Sequence, residues 1–393
     1  MTTHSRWLLP DGVDEQLPRA AARLEQLRRG ALDLFQTWGY QLCVPPFVEF
    51  LDSLLSGLGE DLELQTFKIT DQISGRLMGI PADITPQIAR IDAHRLPTEV
   101  PQRLCYVGPI LHTRPDKFAG SRNPLQIGAE LYGHAGLDSD AEVICLLIEL
   151  LARSEVQDIT VELAHMGIFR GLVGAARIDS EVEAALRDAL LRKASSELDE
   201  VLAGVASLAP FVDLFRALLR LNGDGSMLGA ARSDLHEAPD SVHAALDTLQ
   251  GILAIVSARY PHVALHVDLA ELRGYRYHTG VLFAAYTPTL GRAIAWGGRY
   301  DDVGAYFGRA RPATGFSTDL KRVATLSTLP EIEPERVFAP AGNTPDLIEA
   351  IALLRARGMI VIQCLPGQRG DAVALGCMQE LKWVDGQWML RKA

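Results

Sequence analysis

The sequence predicts an α+β fold, in which an antiparallel sheet is flanked by helices and carries a helical insertion and a small C-terminal α/β domain. Strand-like segments at 281–286 and 293–296 are joined by a short turn. Such close spacing favours antiparallel pairing, because parallel strands need long crossovers. A mostly helical, Ala- and Leu-rich stretch from about 169 to 235 separates two strand-rich blocks. This position between the blocks indicates an insertion.

The periodicity of apolar residues predicts the individual elements. A helix is predicted up to Trp38, with Gly39 as its stop signal. Further helices are predicted at 141–152 and 241–258, and further strands at 40–44, 103–107, 126–133, 159–164 and 263–269. Beyond Pro330, residues 337–364 are typical of one β-α-β unit. The predicted domains are a core in two parts (1–165 and 237–329), the insertion (166–236) and the C-terminal domain (330–393).

Composition favours a cytoplasmic protein and argues against several classes of partner. No apolar run has the length of a membrane span, and the N-terminus lacks the pattern of a secretory signal. Five scattered cysteines without CxxC spacing predict neither disulfides nor a zinc site. The net charge is −11, and residues 331–393 hold seven Lys or Arg against eight Asp or Glu. Because nucleic-acid binding relies on basic surfaces, tRNA is not an expected partner.

Several motifs occur in an order that one family shares. They are Leu9-Pro10-Asp11-Gly12, Pro45-Pro46-Phe47-Val48-Glu49, Asp83-Ile84-Thr85-Pro86, Tyr106-Val107-Gly108-Pro109, Gln126-Ile127-Gly128-Ala129-Glu130, Arg273-Gly274-Tyr275-Arg276-Tyr277-His278-Thr279-Gly280 and Gly297-Gly298-Arg299-Tyr300-Asp301. Over roughly residues 7–325 the chain resembles the histidyl-tRNA synthetases, a class II aminoacyl-tRNA synthetase family. The resemblance implies a class II synthetase-like core and, through its motif 1, a homodimer.

Residues suited to binding histidine are present in these motifs. An imidazole N–H needs an acceptor, which Glu130 can supply, and Gln126 shares its face of a strand. Asp83 and Thr85, if extended, share a face and can accept from an α-ammonium group. Together with Arg273, Tyr277 and His278 of the loop that the resemblance marks as histidine-specific, they form the predicted histidine site. The alternative is that Glu130 is a solvated strand residue and Tyr277 belongs to the core.

The residues that would handle ATP depart from the synthetase pattern. Where the resemblance places a phosphate-binding Arg-x-Glu, this chain has His112 and Thr113, and Arg114 matches the family's later Arg-Pro. The motif 3-like stretch has Asp319 and Lys321 in place of a glycine and a carboxylate, although Arg322 is retained. Loss of one preorganised charge-stabilising group typically reduces the rate by ~10²–10³. We therefore expect no catalytic residues and no adenylate formation.

Tyr277-His278 and Asp83-Ile84-Thr85-Pro86-Gln87-Ile88-Ala89-Arg90 resemble the synthetase-derived regulatory subunit of ATP phosphoribosyltransferase. This resemblance implies a non-catalytic subunit that partners a short catalytic chain, performs no chemistry itself and mediates feedback inhibition by free histidine. No metal and no cofactor are expected. The sequence leaves open a histidyl-tRNA synthetase with an altered ATP site, and leaves open whether histidine binds this pocket or a subunit interface.

Overall fold

The computed structural model describes residues 7–55, 60–96, 98–114, 120–330 and 335–393. Pro115, which follows Arg114, and the first six residues of the N-terminus, which lacks the pattern of a secretory signal, lie outside these ranges. The chain divides into two compact units, Met1–Leu329 and Pro330–Ala393.

A nine-stranded sheet forms the centre of the first unit. In spatial order its strands are β1 (Gln41–Cys43), β5 (Gln102–Pro109), β6 (Leu125–Tyr132), β12 (Ala313–Asp319), β11 (Leu290–Arg299), β10 (Val281–Thr287), β7 (Thr160–His165), β9 (Ala264–Asp268) and β8 (Asn222–Asp224). In this spatial order, every neighbouring pair between β5 and β7 is antiparallel. The turn of the β10–β11 hairpin lies where the sequence predicted it. The α+β fold class is confirmed.

The predicted antiparallel sheet also contains two parallel pairs, which the sequence analysis did not predict. Strand β1 pairs with β5, and β7 pairs with β9, in parallel. The predicted strand at 263–269 therefore does not extend the β10–β11 hairpin, because β7 lies between β9 and β10. The helical insertion joins β7 to β9 and provides the long crossover that a parallel pair needs.

Helices cover the sheet and form the insertion. They are α1 (Pro18–Thr37), α2 (Leu51–Leu54), α3 (Glu60–Gln65), α4 (Thr85–His94), α5 (Leu137–Arg153), α6 (Met166–Ala176), α7 (Ser180–Leu191), α8 (Ser195–Gly204), α9 (Val212–Arg220), α10 (Met227–Asp234), α11 (Asp240–Arg259), α12 (Val303–Tyr306) and α13 (Leu320–Leu326). Apolar faces of α1, α5, α6 and α11 are buried in one continuous core. Length and composition alone would allow α11 to cross a membrane, but here it packs against α5 and α6.

The first unit also contains a small three-stranded antiparallel sheet, which the sequence did not predict. It consists of β2 (Glu49–Phe50), β4 (Leu77–Ile80) and β3 (Phe67–Thr70). These strands are two to four residues long and mostly half-exposed. Segments this short lack the alternating apolar pattern on which strand prediction depends.

The second unit is a four-stranded sheet with one helix. Its order is β14 (Ile360–Gln363), β13 (Arg336–Ala339), β15 (Gln379–Val384) and β16 (Gln387–Lys392), with α14 (Pro345–Ala356) between β13 and β14. The predicted β-α-β unit is present, but the β15–β16 hairpin was missed. Asp385 and Gly386, both with positive φ, form its two-residue turn, for which Asp-Gly is a strong sequence signal. Trp383 and Trp388 face each other across it with ring centroids 5.3 Å apart, so they pack against each other.

Gly297 on β11 is expected to be intolerant of any side chain. A Cβ atom there would lie 2.3 Å from both the carbonyl oxygen of Gly315 and the ring of Phe283. We predict that Gly297→Ala lowers the free energy of unfolding by about 1–3 kcal/mol, as overpacking does. Urea unfolding measures this change. Gly30→Ala on α1 is the control, because a Cβ atom there would have no atom of the described residues within 4 Å, and because alanine favours helices. Equal changes in the free energy of unfolding for the two variants would contradict the prediction.

Candidate functional site

A cavity of about 740 Å³ opens at the centre of the first unit. Its carboxylate end is lined by Asp83, Thr85, Gln126, Glu130, Tyr277, His278 and Tyr300, and its outer end by residues that include His112, Thr113, Arg114, Trp296, Asp319 and Arg322. Six of the seven predicted histidine-site residues thus line one end of a single cavity. The volume is typical of a small-molecule site.

Glu130 is the most deeply buried charged group of the carboxylate end, at 1% exposure. Its oxygens accept hydrogen bonds from the hydroxyls of Tyr300 and Tyr106, the latter at 3.2 Å. It forms no ion pair with any residue in the described part of the chain. Burial, together with the nearby charge of Asp83, raises the pKa of Glu130 to about 8. The alternative that Glu130 is a solvated strand residue is therefore wrong, because the tyrosines enclose it.

Two neighbours of Glu130 were not predicted as site residues, although both lie in the quoted motifs. Tyr106 is fully buried on β5, and Tyr300 follows β11. On the adjacent strand, Gly315 is the direct partner of Glu130, and a Cβ atom there would lie 1.6 Å from the carboxylate. Pairing across strands is not visible in a single sequence. The signal that was available is a glycine beside a motif, which marks a close approach.

Asp83, Thr85 and Gln126 form a linked group at the start of α4. The side-chain amide of Gln126 donates to Asp83 over 2.8 Å and accepts from the backbone N–H of Ile84 over 2.8 Å. Asp83 also accepts from the backbone N–H of Thr85, and the Thr85 hydroxyl lies 3.0 Å from that of Tyr106. The expectation of an extended segment was wrong. Pro86 in the first turn begins a helix at Thr85, as proline often does.

Tyr277 and His278 both line the cavity, and each has a buried polar atom without a partner among the described residues. The Tyr277 ring stacks on Tyr300 at 5.1 Å between centroids. Its buried hydroxyl and the buried Nδ1 atom of His278 have no hydrogen-bond partner within the described residues. Burial lowers the pKa of His278 to about 4, so this ring is neutral at physiological pH. Buried polar groups are nearly always paired, which makes two orphans beside a cavity a mark of a ligand site.

Arg273 does not line the cavity, in contrast to the other predicted residues. Its guanidinium donates to Glu271 over 2.6 Å and to the hydroxyl of Tyr286 over 2.7 Å, and lies 3.6 Å from Glu162. Position in a loop motif does not determine the direction of a side chain. The nearby carboxylates on the other side of the loop attract the arginine away from the cavity.

At the outer end, the residues that replace the synthetase pattern are used within the fold. The Nε2 atom of His112 lies 2.9 Å from the carbonyl oxygen of Ala82, and the Thr113 hydroxyl donates to the carbonyl of Leu64. Arg114 is exposed at the rim. His112 and Thr113 are thereby held by backbone acceptors and do not form a cationic phosphate clamp.

Asp319 and Lys321 also have structural partners. Asp319 caps the N-terminus of α13, where its carboxylate accepts from the backbone N–H groups of Lys321 and Leu125. Burial raises its pKa. The ammonium of Lys321 lies 3.1 Å from Asp14. Arg322 stacks over Trp296 with 5.3 Å between its Cζ atom and the ring centroid. A carboxylate is thus fixed at the outer end, which disfavours a polyphosphate there.

Fold and cavity define a chain of the histidyl-tRNA synthetase class, and comparison with known proteins agrees. The family model "Histidyl-tRNA synthetase" matches residues 12–323, and the model "ATP phosphoribosyltransferase subunit HisZ C-terminal domain" matches residues 334–391. The chain is 55% identical to the ATP phosphoribosyltransferase regulatory subunit of Thioalkalivibrio sulfidiphilus, with 96% of each chain covered. It is 53% identical to that of Azotobacter vinelandii, with 99% of each covered. The chain belongs to the family of ATP phosphoribosyltransferase regulatory subunits.

Solved structures support the same fold. A Bacillus halodurans structure described as an ATP phosphoribosyltransferase regulatory subunit/histidyl-tRNA synthetase matches with a TM-score of 0.81 at 24% identity, covering 96% of this chain and 97% of that one. The histidyl-tRNA synthetase of Nostoc sp. PCC 7120 matches with a TM-score of 0.77 at 18% identity, covering 96% and 91%. At these identities the match concerns the fold, and it confirms the class II synthetase-like core.

The buried carboxyl of Glu130 is expected to make stability depend on pH. Its pKa is about 8 in the fold, against an ordinary value of 4.5. Between these values unfolding releases its proton, so stability falls as pH rises, by up to about 1.4 kcal/mol per pH unit. We predict that this component is absent from Glu130→Gln. Urea unfolding of both proteins between about pH 5 and 8 tests it, and a stability difference that does not change with pH would refute it.

Proposed function

We propose that this regulatory subunit binds free histidine at the carboxylate end of the cavity and transmits the binding to a catalytic ATP phosphoribosyltransferase chain, as feedback inhibition of the first step of histidine biosynthesis. Its family membership supports the regulatory role, with catalysis in the partner. The observation that carries the histidine assignment is the contrast between the two ends of the cavity. One end keeps groups suited to histidine and holds unpaired polar atoms, whereas at the other end His112, Thr113 and Asp319 are bonded to backbone groups of the described residues.

The carboxylate end offers partners for each polar group of histidine except its carboxylate. Asp83 and the hydroxyl of Thr85 supply oxygen acceptors for the α-ammonium, with Gln126 fixing Asp83 in place. Glu130 and the Tyr277 hydroxyl supply acceptors for the ring. Tyr300, on which Tyr277 stacks, completes an aromatic wall. We omit Arg273 from the proposed contacts, because its partners lie elsewhere.

The alternative function, a histidyl-tRNA synthetase with a rearranged ATP site, has less support. Such an enzyme needs cations at the phosphates, and His112 and Thr113 are bonded to backbone carbonyls instead. The curated relatives described above carry the name of the regulatory subunit. With a net charge of −11, the chain also has no electrostatic reason to bind tRNA. The proposal therefore includes no tRNA partner.

The proposal includes two protein partners, the short catalytic subunit and a second copy of this chain, in the cytoplasm. The edge strand β1 supports a homodimer. It ends the nine-stranded sheet, and Leu42, Val44 and Phe47 along it and just after it are 51%, 79% and 49% exposed. Apolar side chains on an open sheet edge favour association with another chain.

We predict that the purified chain does not catalyse histidine-dependent exchange between ATP and pyrophosphate. The missing clamp reduces adenylation by several powers of ten if each lost group costs ~10²–10³. An exchange assay with a histidyl-tRNA synthetase as positive control measures it. Exchange at a rate comparable to that control would refute the regulatory proposal and favour the alternative.

We predict that Glu130→Gln weakens histidine binding by tenfold to a hundredfold, since a hydrogen bond to a charged group contributes about 1.5–3 kcal/mol. Glutamine keeps the size of the side chain and leaves the tyrosine hydroxyls an acceptor, unlike alanine. Calorimetric titration of the complex with its catalytic subunit measures the affinity.

Glu162→Gln is the matched control for that titration. Glu162 is a half-buried glutamate on β7 that also accepts from a tyrosine, Tyr286, but it does not line the cavity. This variant should bind histidine as the wild type does. Unchanged affinity in folded Glu130→Gln would place the histidine site elsewhere, at the interface with the catalytic subunit.

A further inference from the structure

We propose that the cavity binds histidine with one shared proton, so that the bound ring is an imidazolium and Glu130 is its ionised counter-charge. This inference rests on the proposed function and specifies the chemical form of its ligand. The carboxylate end thereby selects a cationic ring. Its affinity for histidine is then greatest in a window of neutral pH.

The first observation is a buried carboxylate without a cation. Glu130 is 1% exposed, and within the described residues the groups that hydrogen-bond to it are neutral hydroxyls, those of Tyr300, Thr85 and Tyr106. Placing a carboxylate away from water is costly unless an opposite charge accompanies it. In the empty cavity the group is stabilised by keeping its proton, in agreement with its pKa of about 8. A cationic ligand supplies the charge that the fold lacks.

The second observation is the unpaired hydroxyl of Tyr277. An imidazolium ring has two N–H donors, whereas the neutral ring has one donor and one acceptor. The carboxylate end of the cavity provides two acceptors for such a ring, Glu130 and the buried Tyr277 hydroxyl. Each can accept from one N–H of an imidazolium, but the Tyr277 hydroxyl can equally donate to the acceptor nitrogen of a neutral ring, so the uncompensated carboxylate of Glu130 decides between the two forms.

Among the residues that the structure describes, no group around Glu130 supplies the positive charge. The titratable groups around it are Asp83 before α4, Tyr40 before β1, Tyr106 on β5, Tyr132 on its own strand, Tyr300 after β11, and Tyr277 and His278 of the loop. Burial raises the pKa of each tyrosine, so all five stay neutral. The pKa of His278 is lowered to about 4. Asp83 adds negative charge, which further favours a cation.

Proton balance gives the expected pH dependence. The free ring has a pKa of about 6.5. Between that value and about 8, Glu130 brings the proton and the ring takes it, with no net exchange with solvent. Above about pH 8 binding must take up a proton, and below about 6.5 it must release one. Histidine affinity therefore falls toward tenfold per pH unit on each side of the window.

The decisive experiment observes the bound ring directly. Histidine labelled with ¹⁵N in the ring is bound to the full chain at about pH 8, where the free ring is mostly neutral. We expect both ring nitrogens to resonate as protonated nitrogens. One nitrogen of the unprotonated type in the saturated protein would overturn the shared proton while leaving histidine binding intact. Absence of saturable histidine binding at every pH, alone and with the catalytic subunit, would overturn the proposed function as well.

Titrations across the pH range provide a second readout. Wild type and Glu162→Gln should lose affinity above about pH 8 more steeply than Glu130→Gln. The α-amino group of histidine also titrates at alkaline pH, but all three proteins share this effect, so the difference isolates Glu130. Identical profiles for wild type and Glu130→Gln would contradict the proposal.

Discussion

A carboxylate buried among neutral hydroxyls is the constraint around which this cavity is built. Glu130 lies in the middle of a nine-stranded sheet at 1% exposure, where an uncompensated charge is unfavourable. The fold tolerates it through three features: hydroxyl donors from Tyr106 and Tyr300, a glycine at position 315 that leaves room for the carboxylate, and a raised pKa that keeps the proton on. A buried carboxylate without a cation does not stabilise a fold, which is why we propose a ligand role for Glu130.

The two ends of the cavity differ in how completely their polar groups are satisfied. At the outer end, His112, Thr113 and Asp319 are bonded to backbone groups and contribute to the fold. At the carboxylate end, the Tyr277 hydroxyl and a ring nitrogen of His278 remain without partners among the described residues. Unsatisfied buried groups lower stability and persist where function requires them. This difference separates a retained ligand site from one that has been taken over by structural contacts, and it does not depend on any family resemblance.

Sequence patterns predicted the strands and helices of the core because burial imposes a period of two or 3.6 on apolar residues. The order of the motifs led to the right fold and to six residues of one cavity end. What the sequence could not show depends on contacts between distant segments. The parallel pairing of β9 depends on where the insertion returns the chain to the sheet. The direction of the Arg273 side chain is determined by carboxylates outside the cavity. Glu130 is enclosed by Tyr300, which is 170 positions away in the sequence. The β15–β16 hairpin is different, since its turn residues, Asp385 and Gly386, are a hairpin signal that is visible in the sequence itself.

The proposed regulation by histidine requires a ligand that favours one arrangement of the protein over another, because a ligand shifts an equilibrium only by its difference in affinity for the two states. The helix α4 connects the cavity to a surface that a partner can reach. Its first residue, Thr85, belongs to the carboxylate end of the cavity. Further along the helix, Gln87 and Arg90 both bind the carboxylate of Glu49. The side chain of Gln87 also donates to the carbonyl oxygen of Pro46. Pro46 and Glu49 flank Phe47, which follows the exposed edge strand β1. A shift of α4 on binding of the α-ammonium would therefore move this edge through direct hydrogen bonds and an ion pair. Such coupling is reciprocal: if histidine changes the affinity for a chain bound at this edge, that chain changes the affinity for histidine by the same factor.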